Sequence, residues 1–587
     1  VILGNEAFNH RGLFLLERGR FTEAVHLFDK AIIMAIDDTD SYTNRGIALK
    51  ASGRRSQAIS SFVTATRLDP TAAELMVNVA AALFEIGRIH DAEKIFSRAL
   101  STSPASARAL DGLGISVLQT HDAEDALTHL RRAVVVEADN AEIQGNVSGV
   151  LNEVRRHEES LQHSGRSLAV APAFIGAMNN RALSYLKLDG AYKGLSWAER
   201  AFSVDPRRTD TANTRAVLLA ESRRYEEALA AYELVRRMNP EAAEPCWNMG
   251  LIQLLQGNYR EGWLNYHSRW RVKQSSAFGP WLGEQKFLGQ VGMFVENTVF
   301  VYHEQGYGDT LQFCRYVRLA SARGAKVIMQ VPGALVRLFR GQAGMGEVIE
   351  TNDPVPSFDL HSPMMSLPLA FGTTLETIPY GKEAYLAALP DDVSYWAQRL
   401  ALEFGARQLR VGVVWNGGFR PGQPELWAVN ERRNVPLELF AQALDLPGIH
   451  FVSLQKGDPA ESQFLGRERD YWRLGRVFNA AAELHDFADT AGLIANLDLV
   501  ISVDTSTAHL AAALGKPTWI LNRYDTCWRW LLDRQDSPWY GSVRLYRQGA
   551  HRDWRPVLAI IAKNLGQTLS DFQLSQAHQL PGTLHSG

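Results

Sequence analysis

At 587 residues the chain is too long for one hydrophobic core, so several domains are expected. With 64 acidic against 61 basic residues the formal charge is −3, which argues against an electrostatic grip on nucleic acid. Cys246, Cys314 and Cys527 are widely separated and lack metal-ligand spacing, so they suit a reducing compartment and packing roles. No apolar run approaches the roughly 20 residues that span a bilayer. The opening VILGNEAFNHRG lacks the basic-then-apolar order of a signal peptide. A cytoplasmic protein without membrane insertion is the expectation, with the true N-terminus left open because the chain does not begin with Met.

The first half repeats itself. A small residue recurs in one register, at Gly12, Gly46, Ala80, Gly114, Ser148, Ala182, Ala216 and Gly250. Twelve places after each stand Ala24, Ala58, Ala92, Ala126, Ser160, Gly194, Ala228 and Gly262. Larger residues often follow four later (Phe28, Phe62, Phe96, Leu130, Tyr232, Tyr266), and Pro70, Pro104, Pro172, Pro206 and Pro240 close most units. Small residues let the two helices of a hairpin approach, the larger one fills the gap, and proline stops the second helix. The period of about 34 residues resembles that of tetratricopeptide (TPR) repeats, giving an α-solenoid of about eight units over residues 1–274. Such stacks offer a groove to a peptide, which implies a protein partner. Ser148, Ser160, Ser164 and Ser167 put hydroxyls at core positions, so the fifth unit is expected to be the least stable, as a hinge or as a degenerate repeat. Trp247, Tyr259, Trp263, Tyr266 and Trp270 crowd the last unit, either to seal the solenoid against the next domain or to stack on a sugar.

Residues 275–296 have turn residues and no sustained period and read as a linker. A first α/β domain is expected over 297–395. Its strand Asn297–Tyr302 leads through His303, Glu304, Gln305, Gly306, Tyr307 and Gly308 to a helix from Asp309 to Ala322, then a strand Lys326–Val331. A short strand follows at Phe358–His361. The glycines permit close approach of a substrate, and Asp309 is equally a natural N-cap.

A second α/β domain is expected over 396–566. A strand begins at Arg410 and ends in Asn416-Gly417-Gly418, where backbone can close on a phosphate or sugar, and the long loop to Val435 carries Arg420, Arg432 and Arg433. The strand from Ile449 ends near Lys456, either a surface lysine or a cation facing a diphosphate. A short strand and a helix within 483–496 precede the strand Leu499–Val503, after which Asp504, Thr505, Ser506 and Thr507 form a polar turn at a helix start. Such a turn faces the crevice where open α/β sheets bind ligands and suits a phosphate, although Asp504 can also serve only as an N-cap. One of the Trp528-Arg529-Trp530 rings is expected either near this turn or in the core, and residues 567–587 read as a loose tail.

The run DTSTAHLAAALGKPTWIL, with WRWLLDRQDSPWYGSVRLYRQ after it, closely resembles the donor-site segment of heptosyltransferase-like and TPR-linked glycosyltransferases of the GT-B type. The fold expected is therefore a TPR α-solenoid followed by two Rossmann-like α/β domains with a cleft between them. The resemblance implies an inverting, metal-independent transfer of a sugar from a nucleotide-sugar donor, without a cofactor, to an acceptor protein held by the TPR groove. No Asp-x-Asp pair stands near these motifs, in keeping with that. It implies donor contacts at Asn416, Gly417, Arg433, Lys456, Asp504, Thr505, Ser506 and His509. By the same resemblance Asp309 matches the residue that deprotonates the acceptor. His303 replaces a glycine of the relatives' G-E-x-G-x-G-D loop, so His303 and Glu304 stay open as alternatives, in the order Asp309, His303, Glu304. The domain pairing is also similar to TPR-bearing transferases that modify flagellin or other surface proteins. A TPR scaffold whose transferase half has lost catalysis is the competing expectation.

Overall fold

The computed structural model describes residues 4–188, 190–272, 296–405, 408–418 and 427–579. The expected linker therefore lies outside the described residues apart from Glu296, as do Arg420 and most of the loop around it. The chain forms two compact units, Val1–Met238 and Asn239–Gly587.

The first unit is a helical solenoid with TPR-like helix-pair packing. Its helices run from Asn5–Glu17 and Phe21–Met34 to Thr209–Glu221 and Tyr225–Met238, and successive pairs pack as antiparallel hairpins. The small and large registers read from the sequence meet in the core: Ala24, Ala58 and Ala92 are fully buried, and Phe28, Phe62 and Phe96 fill the space beside them. The hydroxyls of the fifth repeat are buried and bonded rather than orphaned. Ser160 donates to the Ser148 carbonyl at 2.8 Å, Ser184 to Ser160 at 2.8 Å, and Ser167 to the Ala141 carbonyl at 2.6 Å. That satisfies the rule that a buried polar group needs a partner.

The second unit begins with an eighth hairpin, Glu244–Leu255 and Tyr259–Tyr266, and holds two parallel sheets. The first comprises β1 (Thr298–Tyr302), β2 (Lys326–Val331), β3 (Glu347–Glu350) and β4 (Leu360–Pro363) in the order β3-β2-β1-β4. The second comprises β5 (Leu409–Val414), β6 (Ile449–Ser453), β7 (Arg476–Asn479), β8 (Leu499–Val503), β9 (Thr518–Asn522) and β10 (Val543–Arg547), in the order β10-β9-β8-β5-β6-β7. Every pairing is parallel. Both orders reverse beside their first strand, and the second is that of a doubly wound Rossmann sheet, which binds ligands outside the carboxyl ends at the reversal. β8, apolar except for Ser502, is buried at every position, as a strand covered on both faces must be.

Two expectations are corrected. The short strand sought within 483–496 lies earlier, at Arg476–Asn479, because Asp486 instead caps the helix Phe487–Ala495 by accepting from Ala488 and Asp489 N–H. The tail from Gln567 is not loose as far as it is described: it continues the helix Arg555–Gln579, and Leu569 and Phe572 pack on the core of the second sheet. Of the two uses expected for the aromatic residues of the last repeat, sealing is the one observed. Tyr259, Trp263 and Tyr266 are buried, and Trp263 packs edge-on against Trp528 at 5.3 Å and Trp539 at 6.3 Å.

Candidate functional site

β1 delivers the chain to the crevice, where Gln305 takes a left-handed backbone (φ 61°) and Gly306 caps the helix Tyr307–Ala322. Asp309 is the third residue of that helix, and its Oδ2 accepts the Gly306 N–H at 2.9 Å. The Asp309 side chain thus turns back over the helix start, the reverse half of a capping box. Its Oδ1 accepts from the Arg529 guanidinium.

In the second sheet the reversal lies between β5 and β8, so the turns after these two strands share the crevice. The turn after β5 is held by Gln455, whose Oε1 accepts from Trp415 N–H (3.2 Å) and Asn416 N–H (2.9 Å), while Asn434 Oδ1 accepts from Gly417 N–H at 2.8 Å. A Cβ on Gly417 would sit 1.9 Å from Arg433 Nη2, so only glycine lets this guanidinium lie against the turn. Arg433 donates to the Asp504 carbonyl at 2.9 Å and to Asn430 Oδ1 at 2.6 Å, tying the two turns together. After β8 the cap is Thr505 rather than Asp504. Its Oγ1 accepts from Ala508 N–H at 3.4 Å, and the helix Ser506–Ala513 begins one residue on.

These elements enclose a cleft of about 630 Å³. Asp309 from the first sheet domain and Arg433, Asp504, Thr505, Ser506 and His509 from the second all line it, together with Asn430, Arg523 and Arg529. Three guanidinium groups therefore face two carboxylates around a helix N-terminus, an arrangement that favours an anion. A smaller cavity of about 290 Å³ shares Tyr307, Gly418, Thr505 and Ser506 with the cleft and adds Asn416, Lys456, Leu454, Leu484 and Phe487. Lys456 is half exposed there. Its Nζ donates to the Ala481 carbonyl at 2.7 Å and lies 3.7 Å from Glu461. Among the described residues, no group of three or more His, Cys, Asp or Glu side chains is arranged to hold a metal ion.

Two of the expected bases do not line this cleft. Glu304 is 3% exposed and bound by Arg269, whose Nη2 and Nε donate to its two oxygens at 2.6 and 2.9 Å, while Met365 N–H donates to Oε1 at 2.9 Å. Its carboxylate is committed to the floor beneath the loop. His303 holds its backbone N–H on the Gln330 carbonyl at 3.0 Å, and burial pulls its imidazole below the ordinary range. Asp309 alone of the three reaches the cleft.

His509 is buried in the cleft wall. Its Nδ1 is 2.8 Å from the Tyr540 hydroxyl, its Nε2 is 3.6 Å from Asp504 Oδ1, and its ring stacks on Trp530 at 5.2 Å. Gly308 abuts it from the other domain: a Cβ there would stand 2.9 Å from His509 Cδ2. Burial works to raise the Asp504 carboxyl, but His509, Arg433 and the Trp530 indole outweigh it and hold the group well below the usual carboxylate range. Burial likewise opposes the Arg529 charge, and Asp309, Cys527 and Tyr266 together outweigh it, so the guanidinium is held above its ordinary value. Arg529 and Arg523 carry no site role in the sequence-based expectations, although both line the cleft. Arg529 stood between two tryptophans that drew notice for their rings, and Arg523 was one of several polar residues after β9.

The glycosyltransferase family 9 (heptosyltransferase) model matches residues 475–524, which span β7, β8, the cleft helix and β9. Tetratricopeptide repeat models match residues 43–107, 80–143 and 213–261. Protein FlbA of Caulobacter vibrioides is 25% identical over 452 residues, 73% of this chain and 73% of that protein. Among solved structures, the Cut9–Hcn1 hetero-tetramer of APC/C is 16% identical with a TM-score of 0.35, covering 37% of this chain and 43% of that one. Pseudomonas aeruginosa pilF is 19% identical with a TM-score of 0.31, covering 35% and 94%. The chain thus joins a TPR region to parallel α/β domains resembling Rossmann folds, the second of which carries a segment similar to family 9 glycosyltransferases.

Proposed function

We propose that this protein is a glycosyltransferase that moves a sugar from a nucleotide-sugar donor to a protein acceptor gathered by its TPR array, with inversion and without a metal. The observation that carries this reading is that Asp309, from one sheet domain, and Thr505 and Ser506, from the other, line a single cleft. In this reading the donor diphosphate lies at the N-terminus of the helix Ser506–Ala513, with the Thr505 and Ser506 side chains and the Arg433 guanidinium around it. Lys456 stands over the adjoining cavity as a further cation. Asp309 takes the proton of the acceptor nucleophile as its oxygen or nitrogen bonds to the anomeric carbon. The bond from that carbon to the phosphate oxygen breaks, and the nucleotide leaves with the electron pair. Cations and helix N–H groups aimed at the leaving phosphate stabilise the charge that develops there.

Calorimetry of the full-length protein against UDP-, GDP-, ADP-, CMP- and dTDP-sugars tests the reading. Binding of one of these, with loss of turnover in Asp309→Asn, is the expected outcome. Binding by none of them would overturn the transferase assignment and leave the scaffold in its place.

A further inference from the structure

We propose that Arg529 is the positioning residue for Asp309, so that the base in one sheet domain is aimed by a guanidinium carried on the other. The inference rests on the reading of Asp309 as the base.

A guanidinium is costly to bury, and Arg529, only 9% exposed, has a partner for each of its three nitrogens. Its Nη2 donates to Asp309 Oδ1, its Nε to Gln312 Oε1 at 2.8 Å, and its Nη1 to Cys527 Sγ at 3.0 Å. The guanidinium carbon lies 4.4 Å from the centre of the Trp528 ring. Asp309 and Gln312 are three residues apart on one helix and so share a face, and Gln312 is fully buried. Arg529 therefore grips the helix at two positions about one turn apart, which fixes where along its axis Asp309 stands. The second carboxylate oxygen is held by Gly306 N–H. With one oxygen on each donor, the carboxylate plane cannot rotate, and a base held this way keeps its geometry without reorganising. Arg529 follows β9, the strand after the cleft helix, whereas Asp309 follows β1. The aim of the base thus depends on the two sheet domains being together.

The test uses the full-length protein and follows release of free nucleotide from the same UDP-, GDP-, ADP-, CMP- and dTDP-sugars, with water as the acceptor. Arg529→Gln should lower kcat by about 100-fold, the scale of losing a positioned base, while donor KM and calorimetric affinity stay within about threefold. Arg529→Lys, which keeps the charge, should recover about tenfold of that loss. In an Asp309→Asn background Arg529→Gln should cost less than about threefold, because the two residues act as one unit. Equal losses in both backgrounds would overturn the proposal while leaving Asp309 as the base. A fall in donor affinity of tenfold or more with kcat intact would make Arg529 a donor contact instead. Full turnover in Asp309→Asn, or no turnover by the wild type, would remove the base reading and this proposal with it. Circular dichroism and thermal melts accompany each variant, and if Arg529→Gln does not fold, the cycle is read from Arg529→Lys.

Discussion

Glu304 offers a direct test of how loop residues divide between packing and chemistry. Its carboxylate and the Arg269 guanidinium are both 3% exposed, and Arg269 also donates to Ser366 Oγ at 2.9 Å and the Tyr266 carbonyl at 3.2 Å. Glu304→Ala removes the anion and leaves the guanidinium with those two neutral acceptors, besides stripping Met365 N–H of its partner. An uncompensated buried charge costs about 3–5 kcal/mol. Taking an unfolding slope of about 3 kcal/mol per molar urea, the midpoint should fall by about 1–1.7 M. Tryptophan fluorescence is the natural probe, since Trp263 and Trp528 are buried in the same unit. Removing both ions, as in Arg269→Met with Glu304→Leu, should recover most of the loss, because a well-packed apolar pair avoids the desolvation cost. A midpoint unmoved by Glu304→Ala, together with turnover reduced by about 100-fold, would refute the structural assignment and return Glu304 to the chemistry.

Lys456→Ala should lower turnover by about 100-fold with little change in melting, as expected of a half-exposed cation acting on a leaving group; activity within a few-fold of wild type would displace Lys456 from the donor side. His450 is buried and stacked on Phe404 at 4.1 Å, and burial beside Arg476 and Arg410 pushes its pKa down to about 4. The unfolded chain takes up this proton near pH 6.5, so as pH falls from about 6.5 to about 4 the contribution of His450 to stability is lost. Urea midpoints at both ends of that window should converge in His450→Gln. A chain beginning at Asn239 should express as a folded α/β unit that still hydrolyses nucleotide sugar, whereas one beginning at residue 275 should aggregate, because it lacks the buried Tyr259, Trp263 and Tyr266; equal solubility of the two would show that the last hairpin is dispensable.

Local order was written in the sequence where one periodicity governs it. The bounds of β8 could be read directly, because a largely apolar run rich in β-branched residues, set between polar residues, has few alternatives. The cleft helix and its turn followed, since hydroxyls at a helix start serve capping and anion binding alike. What escaped was pairing at a distance. Glu304 looked free because Arg269 lies 35 residues upstream, across a segment with no pattern. Arg529 reaches Asp309 across 220 positions, and no local spacing encodes such a contact. The cap fell on Thr505, one residue beyond Asp504, whose carboxylate faces His509 while its backbone carbonyl accepts from Arg433. The tail expected from Gln567 is helical as far as Gln579, and its Leu569 and Phe572 find a core that the surrounding polar residues conceal.

The eighth hairpin has an evolutionary consequence. Its Trp263 indole donates to the Thr373 carbonyl at 3.1 Å, and its Tyr259 hydroxyl accepts from the Trp539 indole at 2.9 Å. Those bonds make that hairpin a fixed terminus of the α/β unit. Every repeat before Asn239 is a modular segment of about 34 residues that touches chiefly its neighbours. Duplication or deletion of whole repeats upstream would lengthen or shorten the reach of the array while leaving each of these terminal bonds in place. The copy number of the repeats can therefore vary without disturbing the end of the α/β unit.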